Sequence, residues 1–311
     1  MARADASDGG RLVVVGSYLR DLGLAVDRFP LPGETRVGHD FLESHGGKGS
    51  NQAVQAARCG APVTMIAAVG ADTAGRAARA LWTEEGIDVG GVVERTDRPT
   101  GVAMILVDQA AQNQIAFDLG ANMSLGVADI ERVAPAIAEA ALVIAQCETP
   151  FAATTHAFDL AQRHGALTLL NPAPAPPRLP DALWQRIDVM IANELEATTL
   201  AGVALDTDPH AVGAMLLPRV RRGLVITIGK DGAWLFEPGR APLHHQALAV
   251  EAIDSTGAGD AFIGAFAARW LATRALAAAF GWGVAAGSLA CTRRGVVPAL
   301  ARGPEIARAA G

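Results

Sequence analysis

The feature that most constrains this chain is an alternation. Short, almost wholly apolar runs at 12–15, 63–69, 141–145, 166–170, 189–192 and 224–228 are separated by longer stretches of helical spacing at 50–59, 75–85, 127–140, 151–164 and 209–222. A strand that is apolar on both sides must be covered on both faces, the condition of a parallel strand inside an α/β sandwich. The pattern predicts an α/β fold, a doubly wound, mostly parallel sheet sandwiched by helices. Residues 257–291 are helical and rich in small side chains, which permits close packing against the sheet, and the prolines of 171–180 force a loop there.

Two stretches break the rhythm. Residues 36–44 and 101–118 carry paired strand-like runs, the second bent at 108–113, with no helix long enough for a crossover between them. They predict a small antiparallel β flap beside the main sheet, an extended sheet edge being the alternative. No internal repeat and no polar linker divides the chain, so 1–311 is expected to be a single domain carrying that flap.

Composition excludes several classes of partner. With 50% hydrophobic and 19% charged residues the chain can bury a sizeable core. Its 26 basic side chains against 32 acids give a net charge of −6 with no basic block, so nucleic acid is not an expected partner. The longest apolar runs, at 141–145 and 276–280, fall far short of the roughly 20 residues that span a bilayer, so no membrane is expected either. The first ten residues are polar and include Asp5 and Asp8, unlike a secretory signal, which points to the cytoplasm. Cys59, Cys147 and Cys291 are odd in number and set in apolar sequence, as buried thiols rather than a disulfide framework or zinc site.

Two glycine-rich segments carry the chemistry. Asp254-Ser255-Thr256-Gly257-Ala258-Gly259-Asp260-Ala261-Phe262 is a turn leading straight into a helix, which leaves backbone N–H groups free at the positive end of the helix dipole to grip an anion. Asp260 falls in the first helical turn, where a carboxylate can take a proton from a hydroxyl as it attacks phosphorus, or simply balance the dipole. His45-Gly46-Gly47-Lys48-Gly49-Ser50-Asn51-Gln52-Ala53 also precedes a helix; its glycines allow close backbone approach to a ligand, and Lys48 and Asn51 offer hydrogen bonds. It is not a P-loop, which needs glycine where Leu42 stands and Ser or Thr where Gly49 stands. No G-x-G-x-x-G follows the first strand, which disfavours a nicotinamide-dependent oxidoreductase.

Together and in this order, the two segments resemble the signatures of the ribokinase-like, or PfkB, family of carbohydrate kinases. Gly16-Ser17, Pro32-Gly33-Glu34-Thr35, Gly120-Ala121-Asn122, Asn171-Pro172-Ala173-Pro174-Ala175 and Thr292-Arg293-Arg294-Gly295 extend the resemblance over nearly the whole chain. It implies transfer of the γ-phosphoryl group of ATP to a sugar hydroxyl, with Asp260 as catalytic base and Gly257, Ala258 and Gly259 as anion hole. The matching sugar positions are Asp21, Gly47, Lys48, Gly49, Asn51, Glu148 and Asp260. Ribose is the expected acceptor, another furanose such as deoxyribose or a nucleoside's sugar the alternative, and a non-catalytic sugar-binding regulator the reading from a different class.

On the nucleotide side the resemblance implies Asn193, Thr227, Gly229, Lys230, Gly232 and Val284, with Glu196 of an N-x-x-E motif holding Mg2+ through water. Taken alone, Glu194 and Glu196 read as first-turn helix acids, the 227–232 turn as a hairpin, and Val284 as core. A monovalent cation, K+, is implied at Asp254 with the carbonyls of Thr256, Ala290, Arg293 and Gly295, and the retained flap implies a homodimer. Two departures stand out. Leu19 replaces the asparagine of the family's Gly-Ser-x-Asn-x-Asp run, and Ala299 replaces a serine of the cation site.

Overall fold

In a computed structural model, which describes residues 10–110 and 112–311, the central strand β1 (Arg11–Val15) shows why the apolar runs are continuous. Leu12 and Val14 are sealed in a core on one side of the sheet, Val13 and Val15 in a second core on the other. The remaining strands are β2 (Leu19–Ala25), β3 (His39–Gly46), β4 (Val63–Gly70), β5 (Asp88–Arg95), β6 (Thr100–Val107), β7 (Asn113–Gly120), β8 (Ala140–Ala145), β9 (Leu167–Leu170), β10 (Val189–Asn193), β11 (Gly223–Thr227), β12 (Ala233–Phe236) and β13 (Leu243–His245). Nine form the main sheet in the order β13-β12-β11-β10-β9-β8-β1-β4-β5, parallel from β5 to β11 and antiparallel beyond.

The helices are α1 (Lys48–Arg58), α2 (Thr73–Glu84), α3 (Val127–Arg132), α4 (Ala134–Ala138), α5 (Phe151–Arg163), α6 (Asp181–Trp184), α7 (Glu194–Ala201), α8 (Pro209–Leu216), α9 (Ala258–Thr273), α10 (Leu276–Ala290) and α11 (Gly303–Ala309). α1, α2, α9 and α10 cover the face of Leu12; α3 to α8 cover the face of Val13. The small residues of 257–291 serve close approach between helices, where packing against the sheet was expected: a Cβ on Gly264 of α9 would stand 2.6 Å from the Gln52 carbonyl of α1, and one on Gly283 of α10 2.7 Å from the Phe262 ring of α9.

The expected helix over 127–140 is two short ones, because Pro135 has no N–H to give and starts α4 instead of continuing α3. The helix expected over 209–222 ends at Leu216, just before Pro218. The flap is a separate four-stranded sheet, β3-β2-β6-β7, and it departs from the expectation in one respect: β2 pairs antiparallel with β3 but parallel with β6. The three cysteines are unpaired, as expected, but only half-buried. Among the described residues no helix is long and apolar enough to cross a membrane. Residues 1–9, with Asp5 and Asp8, lie outside the described residues.

From β1 the chain builds outward through β4 and β5, then returns to add β8 to β11 on the other side of β1. The connections leaving β1 and β8 therefore diverge, and a crevice opens at the carboxyl ends of these two strands.

Candidate active site

Ser17 follows β1 and Glu148 follows β8, so the crevice opens between them. The Ser17 hydroxyl donates to Glu148 Oε2, and the backbone N–H of Lys48, first residue of α1, donates to the same oxygen at 2.9 Å. The start of α1 is further tied to Ser17 by the Gly49 N–H on its hydroxyl and the Ser50 N–H on its carbonyl. Glu148 is buried, and burial raises its pKa in spite of Lys48 and Ser17. Burial acts on the Lys48 ammonium in the opposite sense, but Asp260, Glu148 and Glu196 outweigh it and hold the lysine pKa above its usual value. Lys48 thus keeps its positive charge in the field of three acidic side chains.

Gly257 caps α9, and its φ of 77° turns the loop into the helix; of the N–H groups at this end, that of Ala258 donates to the Ser255 carbonyl at 3.2 Å, while those of Gly257 and Gly259 have no backbone acceptor among the described residues. Asp260, one turn in, is 8% exposed. Asn51 Nδ2 donates to its Oδ2 and Gln52 Nε2 to its Oδ1, both at 2.9 Å, so the carboxylate is held at two points by neighbouring residues of α1. Gln52 is itself fixed: its Oε1 accepts from Gln146 Nε2 at 2.6 Å and its Nε2 also reaches Asn171 Oδ1 at 3.2 Å. Asn51 Oδ1 is buried with no partner among the described residues, an acceptor that costs about 1–3 kcal/mol unless a ligand supplies a donor.

Asp260 shares a cleft of about 170 Å³ with Lys48 of α1, Gly257 and Gly259 at the start of α9, Glu196 of α7, and Asn171, Asn193 and Thr227 from the carboxyl ends of β9, β10 and β11. Asn193 caps α7: its Oδ1 accepts from the Glu196 N–H at 2.8 Å, and Glu196 Oε2 accepts from the Asn193 N–H at 3.0 Å. The N-x-x-E spacing is therefore a capping box, and the helix-acid reading and the binding reading describe the same residues. Glu194 is exposed, whereas Glu196 is buried and its pKa is raised by that burial. The flap reaches the site through Asp21, whose carboxylate rests on Gly46, where a Cβ would come within 2.3 Å of it. Burial first, then Glu148 and Asp260, push the Asp21 pKa up to about 7.

Other expected residues lie outside the lining of this cleft. Gly229, Lys230 and Gly232 form the turn between β11 and β12, where Gly232 (φ 94°) is required because a Cβ would stand 1.9 Å from the His245 carbonyl. Val284, on α10, is 5% exposed at the margin of the core. In the cation loop, Asp254 Oδ1 accepts from the Thr256 N–H at 2.9 Å and Oδ2 from the Gly295 N–H at 3.1 Å. Burial would raise its pKa, but these donors and Arg294 outweigh it and lower it. Ala290 and Arg293 close the end of α10 next to it, and Ala299 is buried.

The sequence reading missed Gln52, Gln146, Asn171 and Ser17 as site residues. A signal was present for Gln146 and Asn171, polar groups directly after the apolar runs of parallel strands, where sites in such sheets lie. Chemically, the arrangement offers a hydroxyl-facing acceptor, a cation and an N–H-lined turn, the parts needed to move a phosphoryl group to an alcohol.

Comparison with known proteins agrees. The family model described as pfkB family carbohydrate kinase matches residues 10–301. Over 264 residues, 84% of this chain and 81% of the relative, the chain is 38% identical to a mouse ribokinase. It is 36% identical over 261 residues, 82% of this chain and 84% of the relative, to a deoxyribokinase of Salmonella typhi. Among solved structures, Arabidopsis thaliana ribokinase complexed with ribose and ATP superposes with a TM-score of 0.89 at 26% identity, covering 97% of this chain and 98% of that one.

Proposed function

The chain belongs to the pfkB family of carbohydrate kinases and is an ATP-dependent sugar phosphotransferase, and from that premise we propose that its acceptor is ribose, converted to ribose 5-phosphate. The observation that carries the reading is Asp260, held by Asn51 and Gln52 beside the open 257–259 turn. In the proposed step the acceptor hydroxyl gives its proton to Asp260 while its oxygen attacks the γ-phosphorus. The bond from that phosphorus to the bridging oxygen breaks, and ADP leaves. The N–H groups of Gly257, Ala258 and Gly259 stabilise charge on the transferred group. Asp21, Gly47, Lys48, Gly49, Asn51 and Glu148 hold the sugar, with the flap closing over it. Asn193, Thr227, Gly229, Lys230, Gly232 and Val284 serve the nucleotide.

Two metal sites belong to the proposal. Glu196, a buried carboxylate in the cleft, is the oxygen donor a water-bridged magnesium ion takes, and magnesium bound with ATP supplies screening of phosphate charge. The Asp254 loop, drawn together with Thr256 and Gly295, suits a monovalent cation that stiffens the turn before Gly257. For assembly we infer a homodimer through the flap, where Leu42, Ile115 and Phe117 are 57%, 51% and 47% exposed. We place the reaction in the cytoplasm.

One observation favours a second acceptor, 2-deoxyribose. Leu19 is 5% exposed and shares the flap face of Asp21, two residues on, so it stands where a sugar hydroxyl would need a polar partner. ATP consumption across ribose, deoxyribose, hexoses and nucleosides tests the proposal, with the pentoses expected to lead. Leu19→Asn should lower KM for ribose roughly tenfold, about 1.4 kcal/mol, and leave deoxyribose unimproved. Preference for a hexose, or no turnover with either pentose, would remove the reading.

A further inference from the structure

The amino-terminal ends of β9, β10 and β11 lie at the opposite edge of the sheet from the catalytic cleft, and they frame a hollow of about 480 Å³. With β10 five residues long, the strand separates the two openings by roughly 15 Å. Four arginines line the hollow, Arg163 from the last turn of α5, Arg186 before β10, and Arg221 and Arg222 before β11. Against them stand Asp159 and Asp188, leaving a local charge of +2 on a chain whose overall charge is −6.

Each aspartate is shared by two guanidinium groups. Asp159 takes Arg186 through Nε and Nη2 at 3.0 Å and takes Arg163 on its other oxygen. Asp188 is buried, and its Oδ2 is occupied by the Thr168 N–H at 3.0 Å and hydroxyl at 3.2 Å. Only its Oδ1 faces the arginines, at 3.3 Å from Arg222 Nε and 3.5 Å from Arg221 Nη1. A guanidinium carries five N–H donors, so Asp159 and the one free oxygen of Asp188 cannot satisfy four of them. The side chains of Arg163, Arg221 and Arg222 remain 65%, 52% and 56% exposed around the hollow.

We propose that this hollow is a second, non-catalytic binding site for a phosphate group, free or carried on a small ester. The aspartates fix the guanidinium planes in advance, and planar forks match phosphate oxygens two at a time, which reduces the ordering cost of binding. The hollow has the volume of a small-molecule site.

Titration calorimetry tests this on the full chain, with the catalytic cleft filled by ribose and a non-hydrolysable ATP analogue so that its own phosphate subsite is closed. Inorganic phosphate and glycerol phosphate are the two probes. Saturable binding of either is expected, and the tighter one identifies the free ion or the ester as the ligand. Arg163→Gln with Arg222→Gln should weaken it at least tenfold while turnover in phosphate-free buffer stays at the wild-type rate. Should the double variant melt early, Arg163→Gln alone, at the most exposed position, should still weaken binding severalfold. Absence of saturable binding for both probes, or binding equal to wild type in these variants, would overturn the proposal.

Discussion

The turns that open α1 and α9 are both glycine-rich, both precede a helix and both border the same carboxylate, yet they use glycine for opposite purposes. At α1 the glycines face the chain itself: a Cβ on Gly47 would stand 2.6 Å from Tyr18 Cα, and one on Gly49 would stand 2.4 Å from the Ser17 N. At α9, Gly257 also faces the chain, a Cβ there standing 2.5 Å from Val296 Cγ1, but one on Gly259 would meet nothing within 4 Å. The first turn is consumed in docking α1 onto the segment after β1, which aims Lys48, Asn51 and Gln52 at the site. The second is open at Gly259, whose N–H has no backbone acceptor among the described residues and is available to a ligand, whereas that of Ala258 is taken by the Ser255 carbonyl. Packing alone thus requires glycine at 47 and 49, whatever their backbone also binds, whereas at Gly259 no contact within the fold requires it.

The largest expected effect falls on the carboxylate between the two turns. Asp260→Asn keeps the shape, its Oδ1 accepting from Gln52 and its Nδ2 donating to Asn51 Oδ1 once that amide turns over, but it is a poor proton acceptor; general bases contribute roughly 10²–10⁴-fold. Turnover at saturating ATP and sugar should fall by that factor with an unchanged melting temperature. Wild-type turnover in this variant would mean that the base lies elsewhere and that the α9 turn does not bind the transferring group.

The glycines themselves give the sharpest division. Gly49→Ala forces a Cβ into backbone and should lower stability by about 1–3 kcal/mol, read as an earlier melting transition. Gly259→Ala sits in open space in a helix, so the fold should melt at the same temperature or slightly higher. Its methyl group stands where phosphate must approach, and turnover should fall at least tenfold. If Gly259→Ala melted early, or if Gly49→Ala were the harmless one, the contrast between the turns would be wrong.

The same contrast explains what was legible in the sequence. The strands of the main sheet that are covered on both faces, β1, β4, β8, β9, β10 and β11, were readable to within about a residue, because double burial leaves an unbroken apolar run. β2, with Arg20 and Asp21 interrupting its apolar residues, and β5, with its paired glycines, left no such run, and β13 is only three residues long. Asp260, Lys48 and Asn51 were found through their motifs. What the glycines of α1 contact was not legible, since the segment above them, 16–19, is distant in sequence. The position of Gln146 and Asn171 after apolar strands was a signal, but their link to Gln52 was not legible for the same reason: each is an ordinary amide until the ends of β8 and β9 and the helix α1 bring them together.

Gln52 measures how much the α1 turn contributes through positioning alone. It touches Asp260 at 2.9 Å and lies outside the lining of the cleft. Gln52→Met fills similar volume without a donor, and the loss of a hydrogen bond to a charged group costs roughly 1.5–3 kcal/mol. We expect kcat to fall about ten- to a hundredfold with KM for sugar and ATP within twofold of wild type. A change confined to KM would make Gln52 part of substrate binding, and no change would leave Asn51 as sufficient to orient the base.

The smallest expected effect concerns Asp21, whose carboxylate rests on Gly46 at the entrance to the α1 turn. Burial, together with Glu148 and Asp260, raises its pKa from an ordinary 3.8 to about 7. The folded chain therefore holds this proton more tightly than the unfolded chain does. The associated stability is present in full below about pH 4, declines as pH rises, and is gone above about pH 7, where the buried charge must be tolerated. Asp21→Asn removes that charge without changing shape. At pH 8 the variant should melt roughly 6 °C above wild type, since a shift of about three pKa units at about 1.36 kcal/mol each is about 4 kcal/mol, and each kcal/mol shifts a chain of 311 residues by roughly 1.5 °C. At pH 5 most of the difference should vanish, while sugar turnover falls at both pH values. A melting difference independent of pH would show that Asp21 is not desolvated against Gly46, and that the α1 turn, unlike the α9 turn, carries no electrostatic strain toward its ligand.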